Sequence, residues 1–208
     1  MENKTKIKKE IQDFCKNNRI TEKQFFGFER IEGNLDLWEL TSLPEGFKPN
    51  VGGTLYLSKL TSLPEGFSPI VGGNLYLSGV TSLPEGFSPN VGGSLYLSNL
   101  THLPKGFSPV VGGNLDLHKV TSLHEGFKIN VGGSLYLHSL ATLPEDFCPV
   151  VGGDLYLSGV TSLPKGFSPV VGDFLDLSGL TSLPEGFRPN VGSHLRLDGC
   201  VIVFRIDI

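Results

Sequence analysis

Two histidines twenty residues apart, His118 and His138, with Asp116 beside the first, come nearest to a reactive set in this chain. Imidazole nitrogens and a carboxylate can ligate a divalent cation or exchange protons near neutral pH. The set is small, because protein metal centres usually take three or four side chains and no third histidine stands at the same interval. His124 lies nearby, but it occupies a place held by proline in the equivalent segments. A metal-binding or enzymatic site around His118 and His138 is therefore kept as an alternative expectation. The principal expectation is a protein that is not an enzyme and carries no cofactor or metal.

The other candidate chemistries dissolve into periodicity. Gly-Gly before a strand can suggest a phosphate-cradling loop, but here it recurs along the chain and no helix follows it. The serines Ser58, Ser78, Ser98, Ser158 and Ser178 recur at fixed places and form no set with a histidine and a carboxylate. Glu45, Glu65, Glu85, Glu125, Glu145 and Glu185 share one position, broken by Lys105 and Lys165, and read as an acidic edge. The threonines form a single column, without the alternation a flat ice-binding face needs. Cys15, Cys148 and Cys200 are odd in number, widely spaced and without a CxxC pair, so they define neither a disulfide framework nor a redox motif.

All these positions recur because the chain repeats every 20 residues. Residues 71–90 read VGGNLYLSGVTSLPEGFSPN and residues 91–110 read VGGSLYLSNLTHLPKGFSPV. From residue 51 to residue 190 there is no insertion or deletion. Such strictness fits units that must each stack on two neighbours. The pattern predicts a β-rich repeat solenoid, a parallel β-solenoid of about nine 20-residue rungs over residues 31–200. Within a rung, Leu75 and Leu77 alternate with Asn74, Tyr76 and Ser78, so the leucines point in and the polar residues point out. Val80, Leu83, Phe87 and Val91 complete the expected interior. Burial in a single rung falls short of the entropy of ordering it, so rungs must fold together. Gly72 and Gly73 should turn the chain into the strand, through positive φ or close approach. Pro84 and Pro89 should leave a return segment with few ladder hydrogen bonds.

The ends differ from the array. Ile7, Ile11 and Phe14 have helical spacing over residues 5–17, and Thr21 with Gln24 forms a capping-box pattern for a second short helix. Residues 1–30 are expected to be a helical cap in which Phe25, Phe26 and Phe28 cover the first rung. Residues 201–208 (VIVFRIDI) are expected to be a C-terminal capping strand, with self-association through it as the alternative.

The recurring LxL…LTSLP residues, in one rung Leu75, Leu77, Val80, Leu83 and Pro84, resemble bacterial leucine-rich repeats. The interval from Leu77 to Val80 is short, and the asparagine of that family's pattern is absent, so its asparagine ladder is not expected here. The closer resemblance, over about residues 31–200, is to short leucine-rich-repeat-like arrays of bacteriophage and bacterial proteins. That resemblance implies a solenoid with a binding role; a phage-encoded inhibitor of a host defence protein is its most specific version. It names no partner.

The partner expected is another protein. Residues 33–208 carry 9 Lys/Arg against 15 Asp/Glu, whereas residues 1–32 carry 8 against 6. An acidic array lacks the basic track that nucleic acid requires, so nucleic acid is disfavoured. No membrane span and no secretory leader are read in the sequence, and the expected location is the cytoplasm of a bacterium or phage-infected host. The expected binding surface is the outer face of the strand ladder: Trp38, Tyr56, Tyr76, Tyr96, Asp116, His118, Tyr136, His138, Tyr156, Asp176 and Arg196. Aromatic and charged side chains on a rigid sheet are those enriched in binding hot spots. The second functional class is a structural protein that assembles through the solenoid ends, including a homodimer through the C-terminal strand.

Overall fold

The computed structural model describes residues 2–198. The expected strand 201–208 and Cys200 lie outside the described residues. The chain divides into two compact units, Met1–Leu100 with Pro104–Gly113, and Thr101–Leu103 with Asn114–Ile208. Each is a parallel β-solenoid of stacked rungs with two sheets.

In the first unit one sheet, here the ladder sheet, stacks Leu35–Asp36, Leu55–Tyr56, Leu75–Tyr76 and Leu95–Tyr96 in that order. The other, the return sheet, stacks Arg30–Ile31, Asn50–Val51, Ile70–Val71, Asn90–Val91 and Val110–Val111. In the second unit the ladder sheet runs from Leu115–Asp116 through Leu135–Tyr136, Leu155–Tyr156 and Leu175–Asp176 to Leu195–Arg196. Its return sheet joins Asn130–Val131, Val150–Val151, Val170–Val171 and Asn190–Val191. Paired residues in these sheets are 20 apart, so equivalent letters of successive copies face each other.

The second sheet corrects the expectation of a return segment with few ladder hydrogen bonds. Proline lacks a donor, but its carbonyl remains an acceptor. Ile70 N donates to Pro49 O at 3.1 Å and Asn90 N to Pro69 O at 3.2 Å, so the ladder begins just after each proline. The prolines at this place, Pro49 to Pro169, are themselves buried, and Ile129 substitutes for one of them as another apolar residue. Leu83 and its equivalents are only half-buried, so the interior closes on proline, phenylalanine, leucine and valine instead. Phenylalanines 47, 67, 87 and 107 form a continuous stack with centroids 6.2–6.4 Å apart.

Two glycines show two different needs. Gly86 has φ of +70° and open space where a methyl would project, so it serves a left-handed turn. At Gly72 a Cβ would strike the carbonyl oxygen of Gly52 in the preceding rung, so it serves close approach of backbones.

Helix α1 spans Glu2–Asn18 and α2 spans Glu22–Phe25. The capping box forms as expected: Gln24 N–H donates to Thr21 Oγ1 at 3.1 Å and Thr21 N–H to Gln24 Oε1 at 3.0 Å. Phe25 is fully buried, with its ring 5.2 Å from Phe47 and 5.6 Å from Phe14. It covers the first rung. Phe26, 38% exposed, packs edge-on against Phe25 at 5.0 Å beside Gly46, whereas Phe28, 84% exposed, does not cover the rung. Packing Phe14, Phe25 and Phe47 together fills the available end of the core, which leaves the Phe28 ring outside.

Candidate functional site

In the ladder sheet the leucines from Leu35 to Leu175 are buried while Leu195 in the last rung is 38% exposed, and the predicted binding residues fall in two neighbouring columns: the residue after the leucine, from Asp36 to Arg196, and the one two further on, with Trp38, His118 and His138. In the first unit the rings of Tyr56, Tyr76 and Tyr96 lie face to face, 5.1 and 4.6 Å apart and parallel within 4°. Stacking half-buries them, so they show edges and hydroxyls rather than ring faces to solvent. Burial, then the neighbouring Tyr96 phenol, pushes the Tyr76 hydroxyl above its ordinary pKa. In the flanking column, at the place of Ser58 in the next rung, Trp38 is 48% exposed. The Lys59 ammonium sits 4.6 Å over its ring and pairs with Glu39 at 2.5 Å. Lys59 and Glu39 were not among the expected site residues; the clue was their shared place one residue beyond Trp38 and Ser58 in successive rungs.

In the second unit Tyr136 and Tyr156 stack at 4.9 Å. His138 joins them, its ring 5.9 Å from Tyr136 and 5.2 Å from Tyr156, with Nδ1 buried and without a hydrogen-bond partner. His118 behaves differently: its Nδ1 lies 2.6 Å from Asp116 Oδ1, which places a proton on that nitrogen. One imidazole is thus held by a carboxylate and the other by aromatic rings. Among the described residues no group of three or more His, Cys, Asp or Glu is arranged to hold a metal ion.

Asp154, absent from the expected set, accepts from the Tyr156 hydroxyl at 3.1 Å. Burial first, and then the Asp154 and Asp176 carboxylates, raise the pKa of that phenol. Asp176 is 6% exposed and accepts the Ser178 N–H at 2.9 Å. Arg196 turns to Asp198, with Nε 2.8 Å from Oδ2, and that carboxylate raises its pKa.

Beside these rows runs a further column, which spacing alone marks only as outward polar residues. Asn34 Oδ1 accepts from Thr54 N–H at 2.8 Å, Thr54 Oγ1 from Asn74 N–H at 3.2 Å, and Asn74 Oδ1 from Ser94 N–H at 2.8 Å. In the second unit Asn114 serves Ser134, Ser134 serves Asp154 and Asp154 serves Phe174 in the same way, at 2.8, 3.0 and 3.1 Å. Asn, Thr, Ser and Asp all carry a short-chain acceptor, and that shared property was the available signal. A side-chain ladder is therefore present, though at another place in the rung than the asparagine whose absence was noted.

No family model, curated protein or solved structure matches the chain. Among the described residues no helix is long and apolar enough to cross a membrane.

Proposed function

We propose that the protein is a non-catalytic binding module that recognises another protein through the outer face of its ladder sheets. One observation carries this reading: the aromatic row is held rigid by stacking within 4° and by a backbone hydrogen-bonded on both sides, yet keeps its polar edges half-exposed. Rings already fixed in place lose little freedom on association, which favours binding. Tyrosine, tryptophan, histidine and aspartate supply apolar contact and directional hydrogen bonds together.

The test leaves the stack intact and changes its border. Ser78 and Ser98 are half-buried beside Tyr76 and Tyr96, so Ser78→Arg with Ser98→Arg places two long cations on the face. Glu65→Arg with Glu85→Arg alters the exposed return turns by a larger charge change and serves as control. Affinity capture from the source cells, with circular dichroism checking the fold of each variant, should yield a partner held by the native protein and the control but lost by the face variant. Equal capture by all three would remove the face from the binding site.

A further inference from the structure

The N-terminal cap carries a second surface that the ladder face does not explain. Phe28 is 84% exposed, Ile7 43% and Phe26 38%, and the Phe26 and Phe28 rings lie 6.1 Å apart. Exposed large apolar groups that gather into one patch mark interaction sites more often than isolated ones. Here they border a groove of about 310 Å³ between α1 and α2, lined by Lys4, Ile7, Lys8, Ile11, Glu22 and Phe26. Ile7 and Ile11 form its wall as a ridge one helical turn long, and Phe26 continues the apolar strip toward Phe28.

The charge beside the strip has the same spacing. Lys4 and Lys8 are four residues apart on α1, parallel to the Ile7 and Ile11 pair, and both are exposed. Among the described residues neither has an ion-pair partner. Glu22, the groove's carboxylate, accepts from Gln12 Nε2 at 3.3 Å. The groove on the other side of the ridge is of a different kind, because Lys6 is there accompanied by Glu10 and Glu45. Residues 1–32 are also the only basic stretch of a chain that is otherwise acidic.

We propose that this groove docks an acidic amphipathic helix of a partner protein. Its apolar side chains, one turn apart, lie along Ile7, Ile11, Phe26 and Phe28, and its carboxylates, spaced by the same turn, face Lys4 and Lys8. Helix-in-groove recognition uses anchors at this periodicity. A concave seat for inserted side chains favours a helix over a flat lipid surface, and the two lysines set the sign of the partner's charge.

The probe is a fluorescent helical peptide of about 15 residues, with leucines on one face and flanking glutamates, read by anisotropy against the full chain. A second probe replaces the glutamates with lysines, and vesicles of phosphatidylserine and phosphatidylcholine form a third arm. The glutamate probe should bind, with affinity falling as salt rises. Ile7→Glu and Phe28→Ser should each weaken it by about tenfold, and Lys4→Glu with Lys8→Glu by a similar factor. Phe28 is so exposed that its replacement leaves the fold intact, which keeps the result readable if Ile7→Glu unfolds the cap. Ser78→Arg with Ser98→Arg should leave probe binding unchanged, since those residues belong to the ladder face. No binding of the glutamate probe, equal binding of the lysine probe, or vesicle binding that is lost in Phe28→Ser while the peptide stays unbound would each overturn the proposal.

Discussion

Replacing Asn74 separates a hydrogen-bond ladder from simple packing. Its Oδ1 accepts the Ser94 N–H at 2.8 Å, and the group is partly buried. Asn74→Ala leaves that backbone donor without its acceptor in the preceding rung. An unsatisfied, partly buried donor costs about 1–3 kcal/mol. For a chain of this size each kcal/mol moves the midpoint by about 2–4 °C, so the expected fall is about 2–12 °C. Asn74→Thr should recover most of it, because Thr54 performs the same task for Asn74 N–H through its Oγ1. Asn74→Leu should be as damaging as alanine despite its volume, since it lacks an acceptor. Thermal denaturation by circular dichroism measures the order. Amide hydrogen exchange at Ser94 locates the effect, and that amide should lose protection in the alanine and leucine variants but keep it with threonine. If leucine restores stability and threonine does not, the column is a packing feature and the ladder argument fails.

Two further outcomes follow from close approach and from the aromatic rows. Gly72→Ala should be far more destabilising than Gly86→Ala: the first drives a methyl into the Gly52 carbonyl, whereas the second meets open space and costs only the left-handed strain of about 1–2 kcal/mol. Equal losses in chemical denaturation would contradict the stacking distances. The Tyr76 and Tyr156 phenols have folded pKa values above the ordinary 10.0, so their stabilising effect is complete below that value and lost as pH rises through the folded one. Stability measured in urea should therefore fall above about pH 10, and Tyr76→Phe together with Tyr156→Phe should flatten that fall; an unchanged slope would contradict it.

The stacking of rungs was legible because a strict 20-residue spacing allows only one register, and alternation around Leu75 and Leu77 set which letters face in. The return sheet was not. Reading Pro89 only as a missing donor hid its carbonyl, which accepts as any other does, and its ring, which is buried. At the cap, periodicity placed α1 and the capping box, but three nearby phenylalanines gave no sign that the space above Phe47 admits Phe25 and leaves Phe28 in solvent. For the site, the row of outward residues could be assigned from spacing alone. Its geometry could not: stacking turns the tyrosine faces toward one another, and His118 and His138 take different partners although they hold equivalent positions.

The row itself holds two kinds of side chain, aromatic and charged. Three carboxylates replace the ring in the row, Asp36, Asp116 and Asp176, and each accepts the N–H two residues on, from Trp38 at 3.3 Å, His118 at 3.1 Å and Ser178 at 2.9 Å. Aspartate thus adds a local side-chain hydrogen bond to the turn after the strand, where tyrosine instead stacks on the equivalent ring of the next rung. One presents a carboxylate and the other a phenol edge. The buried leucines, phenylalanines and prolines, the close-packed glycines and the acceptor column carry the fold, and the outer row alternates among tyrosine, aspartate and arginine. Variation also falls in the acceptor column, as in Asn74, Ser94 and Asp154, and one residue beyond the outward serine, as in Lys59, Gly79 and Asn99, so under the proposed binding role the row is set apart by the stacked aromatic edges and charges it presents, not by variability alone.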